Sequence, residues 1–278
     1  MNTETTAASP QGRQAPPQEF KLVPPRPKPK TGIPTDGVWI IVGLPKGGKT
    51  TLAASIPGCV LLELERGGAD RIDGWVQDIP DLETFRLALK AAVEDPAVKA
   101  VAIDSIDIFN DWAEMEIAEK FGLENISERK EGVNSFEVWK MLRARYEGLI
   151  GYLKGSKKLT LLVAHSKEVK IDDGGKVVIP AGISIPGKLG SYIAAEADAI
   201  GNVLKKQVGS VTVYYLSFQG GSLGVYGSRI PELEDKVIAL PRTNQWAAVE
   251  AIFRTPTPGK PEPEKENKKP ATKAKGGK

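Results

Sequence analysis

The clearest chemical signal in the sequence is a glycine-rich segment that ends in a lysine and a threonine. The segment matches the phosphate-loop pattern G-x-x-x-x-G-K-[ST], and its residues are Gly43, Leu44, Pro45, Lys46, Gly47, Gly48, Lys49 and Thr50. Glycines let the backbone wrap tightly and direct its N–H groups toward phosphate oxygens. The pattern predicts that Lys49 reaches the β- and γ-phosphates of a nucleotide and that Thr50 is a ligand of Mg²⁺.

The sequence on either side of this segment supports a nucleotide site. The apolar run 38–42 is typical of a buried strand, and 49–56 can begin a helix. Thr51, directly after the pattern, is added to the predicted binding set. The alternative is an ordinary glycine-rich turn with an exposed lysine.

Asp104 is the predicted carboxylate partner of the phosphate loop. It ends the apolar run 100–103 and is followed by Ser105. The carboxyl ends of parallel strands meet at one edge of a sheet, which would place Asp104 and Ser105 beside the loop. We therefore predict a Mg²⁺ site formed by Thr50 and Asp104, with Asp104 binding through water. The alternative is that Asp104 and Ser105 only cap the next helix.

Two other strand ends carry polar side chains. The run 59–64 leads to Glu65, the candidate for polarising the attacking water, and Glu63 should point to the same side. The run 159–164 leads to His165, the one histidine of the chain, which could sense the γ-phosphate. A solvated acidic loop and a surface histidine are the corresponding alternatives.

The order of the elements predicts an α/β fold with a mainly parallel sheet flanked by helices. A hairpin is expected around 169–179, and the alternating run 208–218 predicts an antiparallel strand at the C-terminal edge of the sheet. The predicted strands are 38–43, 59–64, 99–103, 159–164, 198–204 and 211–218, and the predicted helices are 49–56, 81–94, 106–120, 134–154 and 243–253.

Composition separates a core at 37–254 from two tails. Residues 1–36 are rich in proline and basic, residues 255–278 are rich in lysine and proline, and neither shows apolar periodicity, so both are predicted to be disordered. The two tails carry a net charge of +2 and +4 against +3 for the whole chain, which leaves the core near −3, and any nucleic-acid site on the core must be local. Basic tails could contact DNA or only solvate the protein.

The single cysteine excludes an intramolecular disulfide, which is typical of a reducing compartment. The sequence shows no signal peptide and no apolar segment long enough to span a bilayer, so we expect a cytoplasmic protein without membrane contact.

Together these strand ends resemble the RecA-like ATPases, specifically the phage-encoded AAA-family relatives, over roughly 38–254. Leu61-Leu62-Glu63-Leu64-Glu65 is similar to the RecA second strand, Val101-Ala102-Ile103-Asp104-Ser105 to the second nucleotide motif, and Leu162-Val163-Ala164-His165-Ser166 to the sensor strand. The resemblance implies that Glu65 is catalytic and that the nucleotide is ATP. It departs from the family at His165, where recombinases usually carry glutamine or asparagine.

The resemblance also implies partners. The stretch 166–188 matches the mobile DNA-binding loop of that family, and its lysines suit contact with phosphates. An ordinary surface hairpin is an alternative of equal weight. Arg229 falls where recombinases place a residue that reaches a neighbouring subunit's ATP, and the alternative is a surface arginine. We therefore expect a homo-oligomer, single-stranded DNA, and a single-strand-binding or replication protein as partner, in a host cytoplasm if the protein is phage-encoded.

Three functions remain open from the sequence. The first is a Mg²⁺-dependent RecA-like ATPase acting on single-stranded DNA in phage recombination, replication or repair. The second is an annealing or binding module in which ATP is a structural ligand. The third is a small-molecule kinase, which usually needs an arginine-rich lid, and no arginine cluster of that type is evident in the sequence.

Overall fold

The computed structural model describes residues 32–167, 170–171, 177–179, 182–185, 187–221 and 224–254. The predicted tails lie outside the described residues, apart from residues 32–36, and so does the turn of the predicted hairpin.

The described residues alternate strands with helices through the first two thirds of the core. The strands are β1 (Gly37–Gly43), β2 (Cys59–Glu63), β3 (Trp75–Asp78), β4 (Ala100–Asp104), β5 (Leu159–Lys167), β6 (Lys170–Ile171), β7 (Val177–Ile179), β8 (Gly182–Ile183), β9 (Ala199–Val208), β10 (Val211–Ser217), β11 (Gly227–Ser228) and β12 (Val237–Leu240). The helices are α1 (Lys49–Ala54), α2 (Leu82–Glu94), α3 (Ile106–Phe121), α4 (Ser135–Gly155), α5 (Gly187–Glu196) and α6 (Gln245–Arg254). In the described part of the chain, no helix is long and apolar enough to cross a membrane.

The main sheet is mostly parallel, with antiparallel strands at one end. Its order is β12-β10-β9-β1-β5-β4-β2-β3. Each pairing from β9 to β3 is parallel, whereas β10 runs antiparallel to both β9 and β12. This topology confirms the predicted α/β fold class, a mainly parallel sheet flanked by helices with antiparallel strands at the C-terminal edge.

The sheet separates two apolar cores. Along β1, Val38, Ile40 and Val42 point into the core beneath the helices α2 to α5, while Trp39 and Ile41 point into the core that contains α1 and α6. Helices cover both faces, so the central strands are apolar at almost every position instead of alternating. This explains why the apolar runs predicted these strands so closely.

Several elements differ from the sequence prediction, and the two-residue strands β8 and β11 are among those not predicted. The edge strand after β10 is β12, which is only four residues long, so β10 is an inner strand and not the edge. Strand β3 was not predicted, because Trp75–Asp78 is short, mixed in composition and largely exposed. Helix α5 begins inside the predicted loop 166–188, where Gly187 and Gly190 lower helix propensity. The hairpin is confirmed as the antiparallel pair β6 and β7.

The register of the parallel strands brings the predicted site residues to one edge. Gly43 lies opposite His165, and Asp104 lies opposite Glu63 on one side and Val163 on the other. Strand β1 lies between β5 and β9, and the chain leaves it for the β5 side first and returns to the β9 side later. Ligands of open α/β sheets bind at such a change of direction, outside the carboxyl ends of the strands.

Candidate nucleotide-binding site

The phosphate loop joins the end of β1 to the start of α1. Gly48, directly before α1, has φ +97°, a conformation that side chains with a Cβ rarely adopt. A Cβ on Gly47 would lie 2.8 Å from the carbonyl oxygen of Leu44, which accepts a hydrogen bond from the Gly47 N–H. Glycine is therefore required at both positions for the loop to close into a cradle.

Lys49 is a buried cation held by the loop itself. Its Nζ donates to the carbonyl oxygens of Gly43, at 3.0 Å, and Leu44, at 3.1 Å. Burial lowers the pKa of Lys49, and the nearby carboxylates of Asp104 and Glu65 oppose that shift. The ammonium is thus positioned inside the loop, where a phosphate oxygen could replace a carbonyl partner.

Asp104 fits a shared Mg²⁺ site. Asp104 is 5% exposed, and its interaction with the Thr50 side chain opposes the rise in the pKa of its carboxyl. Burial is the main reason that the pKa of Asp104 is raised to about 6. Among the described residues, no cluster of three metal-ligating side chains exists. Mg²⁺ usually takes one or two protein oxygens and completes its shell with water and phosphate, and Thr50 with Asp104 supplies that donor set.

The buried carboxylate predicts a pH-dependent effect on stability. The folded protein holds the Asp104 proton more tightly than the unfolded chain, so this contribution is present at acidic pH and is lost as pH rises through about 6. Asp104→Asn removes that loss, and we expect its free energy of unfolding to exceed the wild-type value by up to about 3 kcal/mol above neutral pH. Urea unfolding across a pH series measures the difference. A difference that stays constant with pH, or that appears equally for the exposed Asp111→Asn, would contradict the prediction.

Glu65 lies at the mouth of the crevice and is held by Ser105. The Ser105 hydroxyl donates to Glu65 Oε1 at 2.7 Å. Ser105 is fully buried and follows Asp104 through a cis peptide bond. The sequence predicted that Ser105 binds the cofactor, whereas the structure directs its hydroxyl to Glu65. Ser105 therefore orients the candidate catalytic carboxylate.

His165 joins the same cluster through Asp107, a residue that the sequence analysis missed. Asp107 Oδ2 accepts from the backbone N–H of His165 at 2.9 Å and lies 3.4 Å from its Nδ1. The Nδ1 atom also lies 3.6 Å from Glu65 Oε1. Burial raises the pKa of Asp107. An acidic residue in the first turn of a helix is common for reasons of capping, so the sequence held no specific signal for this role.

Glu63 does not share the position of Glu65. Strand β2 ends at Glu63, so the alternation that would place both carboxylates on one side stops there. Glu63 is buried, and its Oε1 accepts from the backbone N–H of Ala69 at 2.6 Å. The hydrogen bond between Glu63 and Ala69 stabilises the turn that carries Glu65.

A cavity of about 510 Å³ opens beside the phosphate loop. Its walls include Thr51 and Lys46 on the loop side, and Tyr214, Arg242 and Gln245 on the other. Gln245 is 3% exposed, and its Oε1 has no hydrogen-bond partner among the described residues. The volume lies in the range of small-ligand sites. The last three residues carried no sequence signal, because they come from separate elements late in the chain.

One predicted site residue, Arg229, lies away from this cluster. Arg229 follows β11, which pairs with the first residues of β9 at the opposite edge of the sheet from the phosphate loop. Its guanidinium donates to the carbonyl oxygen of Ala195 at the end of α5.

In the stretch 166–188, Lys167 and Lys188 are described, while Lys176 lies outside the described residues.

A family model described as an AAA domain matches residues 37–230. No curated protein matches the chain. The flagellar accessory protein FlaH from Methanocaldococcus jannaschii shares 14% identity, with a TM-score of 0.37, over 75% of this chain and 86% of its own. A KaiC-like protein from the archaeon Pyrococcus horikoshii shares 14% identity, with a TM-score of 0.42, over 75% of this chain and 87% of its own.

Proposed function

The chain belongs to the AAA-domain family, and from that premise we propose that it is a Mg²⁺-dependent ATPase that acts on single-stranded DNA in phage recombination, replication or repair. The observation that carries the proposal is the hydrogen bond from Ser105 to Glu65 beside the phosphate loop. In the proposed reaction this hydrogen bond holds the Glu65 carboxylate that would receive the proton of the attacking water.

The residues of the site have different roles in the transfer of the γ-phosphoryl group to water. Backbone N–H groups of the phosphate loop and Lys49 bind the phosphates and stabilise the charge that develops on them. When bound, Mg²⁺ supplies further charge neutralisation between Thr50, Asp104 and the phosphates. Glu65 accepts a proton from the attacking water, whose oxygen bonds to the γ-phosphorus while the bond to the leaving ADP oxygen breaks. The base and ribose are proposed to occupy the cavity of Tyr214, Arg242 and Gln245.

His165 is proposed to report the state of the γ-phosphate. Its carbonyl oxygen accepts from the N–H of Ser184 at 3.0 Å, and the neighbouring Ser166 pairs with Ile183 of β8. A movement of His165 would therefore displace β8, and with it α5, the next helix along the chain. DNA contact by the 166–188 stretch and binding of a single-strand-binding or replication protein remain predictions.

The decisive experiment is ATP hydrolysis by the purified full chain at fixed low salt, with and without single-stranded DNA. We expect turnover to require Mg²⁺ and to rise when DNA is added. Turnover that is indifferent to DNA would refute the DNA partner and favour another one. Nucleotide binding without turnover would favour the annealing or binding module.

Arg229 offers a test of assembly. At the far edge of the sheet it cannot reach the nucleotide of its own subunit, but in a homo-oligomer it could reach that of a neighbour. We expect Arg229→Ala to lower turnover by about 10³-fold or more, from the lower end of the range for arginine fingers upward. Mixing it with Lys49→Ala should restore part of the activity, because one type of mixed interface keeps both groups. No recovery on mixing, or full activity of Arg229→Ala alone, would disprove the trans role, and exposed Arg254→Ala is the control.

A further inference from the structure

An aromatic and basic groove lies between the beginnings of α4 and α5, outside the nucleotide site. We call it the aromatic groove, and it is lined by Phe136, Trp139, Lys140, Arg143, Lys188 and Tyr192. Its volume is about 470 Å³. Phe136 is 75% exposed and Trp139 is 39% exposed, which is unusual for large aromatic residues near the start of a helix. Exposed aromatic side chains grouped in this way indicate a binding surface.

The charge of the aromatic groove has one sign. Three cations line it, and no carboxylate does so among the described residues. Arg143 is engaged within the protein, since its Nε donates to Glu147 at 2.8 Å and its guanidinium lies 5.0 Å from the centre of the Tyr192 ring. Lys140 and Lys188 are exposed on the two helices. Arg143 therefore stabilises one side of the groove, and the ammonium groups of Lys140 and Lys188 are exposed to a ligand.

This combination fits single-stranded nucleic acid. Proteins bind single-stranded nucleic acid with aromatic rings that stack on successive bases and with cations that track the phosphates. The bases of a duplex are already stacked on one another and are not available to these rings. A basic or neutral peptide would gain nothing from the positive charge.

From the groove we infer that single-stranded DNA binds here, with Phe136 and Trp139 stacking on bases and Lys140 and Lys188 contacting phosphates. The inference rests on the proposed function and locates its DNA partner. The groove is also joined to the nucleotide site, because α5 follows β8, and β8 pairs with β5 directly after His165. DNA held against Lys188 would restrain the segment that responds to His165.

The test is the affinity of the full chain for a fluorescently labelled thymidine oligonucleotide, measured by anisotropy at fixed low salt. Phe136→Ala and Trp139→Ala should each weaken binding at least about fivefold, which corresponds to one stacked base. Phe136→Tyr keeps a ring and should keep the affinity. Tyr152→Ala is the matched control, since Tyr152 is an exposed aromatic residue on the same helix, outside the groove.

A second readout separates phosphate contact from structural damage. Lys140→Glu should lower the slope of log affinity against log salt by about 0.7 for each lost phosphate contact. The unfolding midpoints of Phe136→Ala and Lys140→Glu should stay at the wild-type value, because both side chains are exposed.

Several outcomes would overturn the inference. If the wild type binds DNA and both alanine variants bind equally well, the groove is not the site, although the proposed function stands. If the wild type neither binds DNA nor is stimulated by it, the DNA function and the groove fail together. A change of oligomeric state in Phe136→Ala at unchanged DNA affinity would assign the groove to a second copy of the chain.

Discussion

Lys49→Ala is expected to reduce ATP hydrolysis by about 10²–10³-fold or more, the range typical of losing one preorganised charge at a transition state. The structure places the Lys49 ammonium inside the phosphate loop, 6% exposed and bound to the carbonyl oxygens of Gly43 and Leu44. No other described cation has this position. Turnover of saturating ATP under identical Mg²⁺ and salt is the measurement.

The Lys49 experiment needs a control for loop structure. The substitution also removes two hydrogen bonds to the loop backbone, so the unfolding midpoint should be measured alongside turnover. Lys90→Ala, on the exposed side of α2, controls for the loss of a positive charge. Full hydrolysis by Lys49→Ala would disprove the assignment of this loop as the nucleotide site.

Glu65→Gln is expected to reduce hydrolysis by about 10²–10⁴-fold, the usual contribution of a general base, while ATP binding is retained. Glutamine has nearly the same shape, and its oxygen can still accept the hydrogen bond from Ser105. Only the ability to take a proton from water is lost. Single-turnover hydrolysis and equilibrium binding of ATP measure the two effects separately.

Glu63→Gln is the matched comparison for Glu65→Gln. The two residues lie close in sequence, but Glu63 is buried and accepts a hydrogen bond from the N–H of Ala69, whereas Glu65 accepts one from the Ser105 hydroxyl. A glutamine oxygen can accept the same bond, so most of the hydrolysis should remain. Equal losses in the two variants would show that the turn, and not the Glu65 carboxylate, limits the reaction. Normal strand annealing by Glu65→Gln would favour the binding module.

Much of the fold could be predicted because its signals are local. A phosphate loop is a continuous pattern, and strands covered on both faces are continuous apolar runs, so β1, β2, β4 and β5 were predicted within a few residues. The strands β3 and β12 were missed because edge strands bury little and carry weak patterns.

The sequence by itself determined the phosphate loop, the parallel sheet and the acidic ends of its strands. Only the tertiary structure decided that Ser105 holds Glu65, 40 residues away, and that Asp107 holds His165, 58 residues away. It also decided that Glu63 binds the N–H of Ala69 and that Phe136 and Trp139 face the same groove as Lys188. The physical reason is that such contacts depend on strand register and helix packing, which are fixed by burial across the whole core and leave no pattern in any short stretch of sequence.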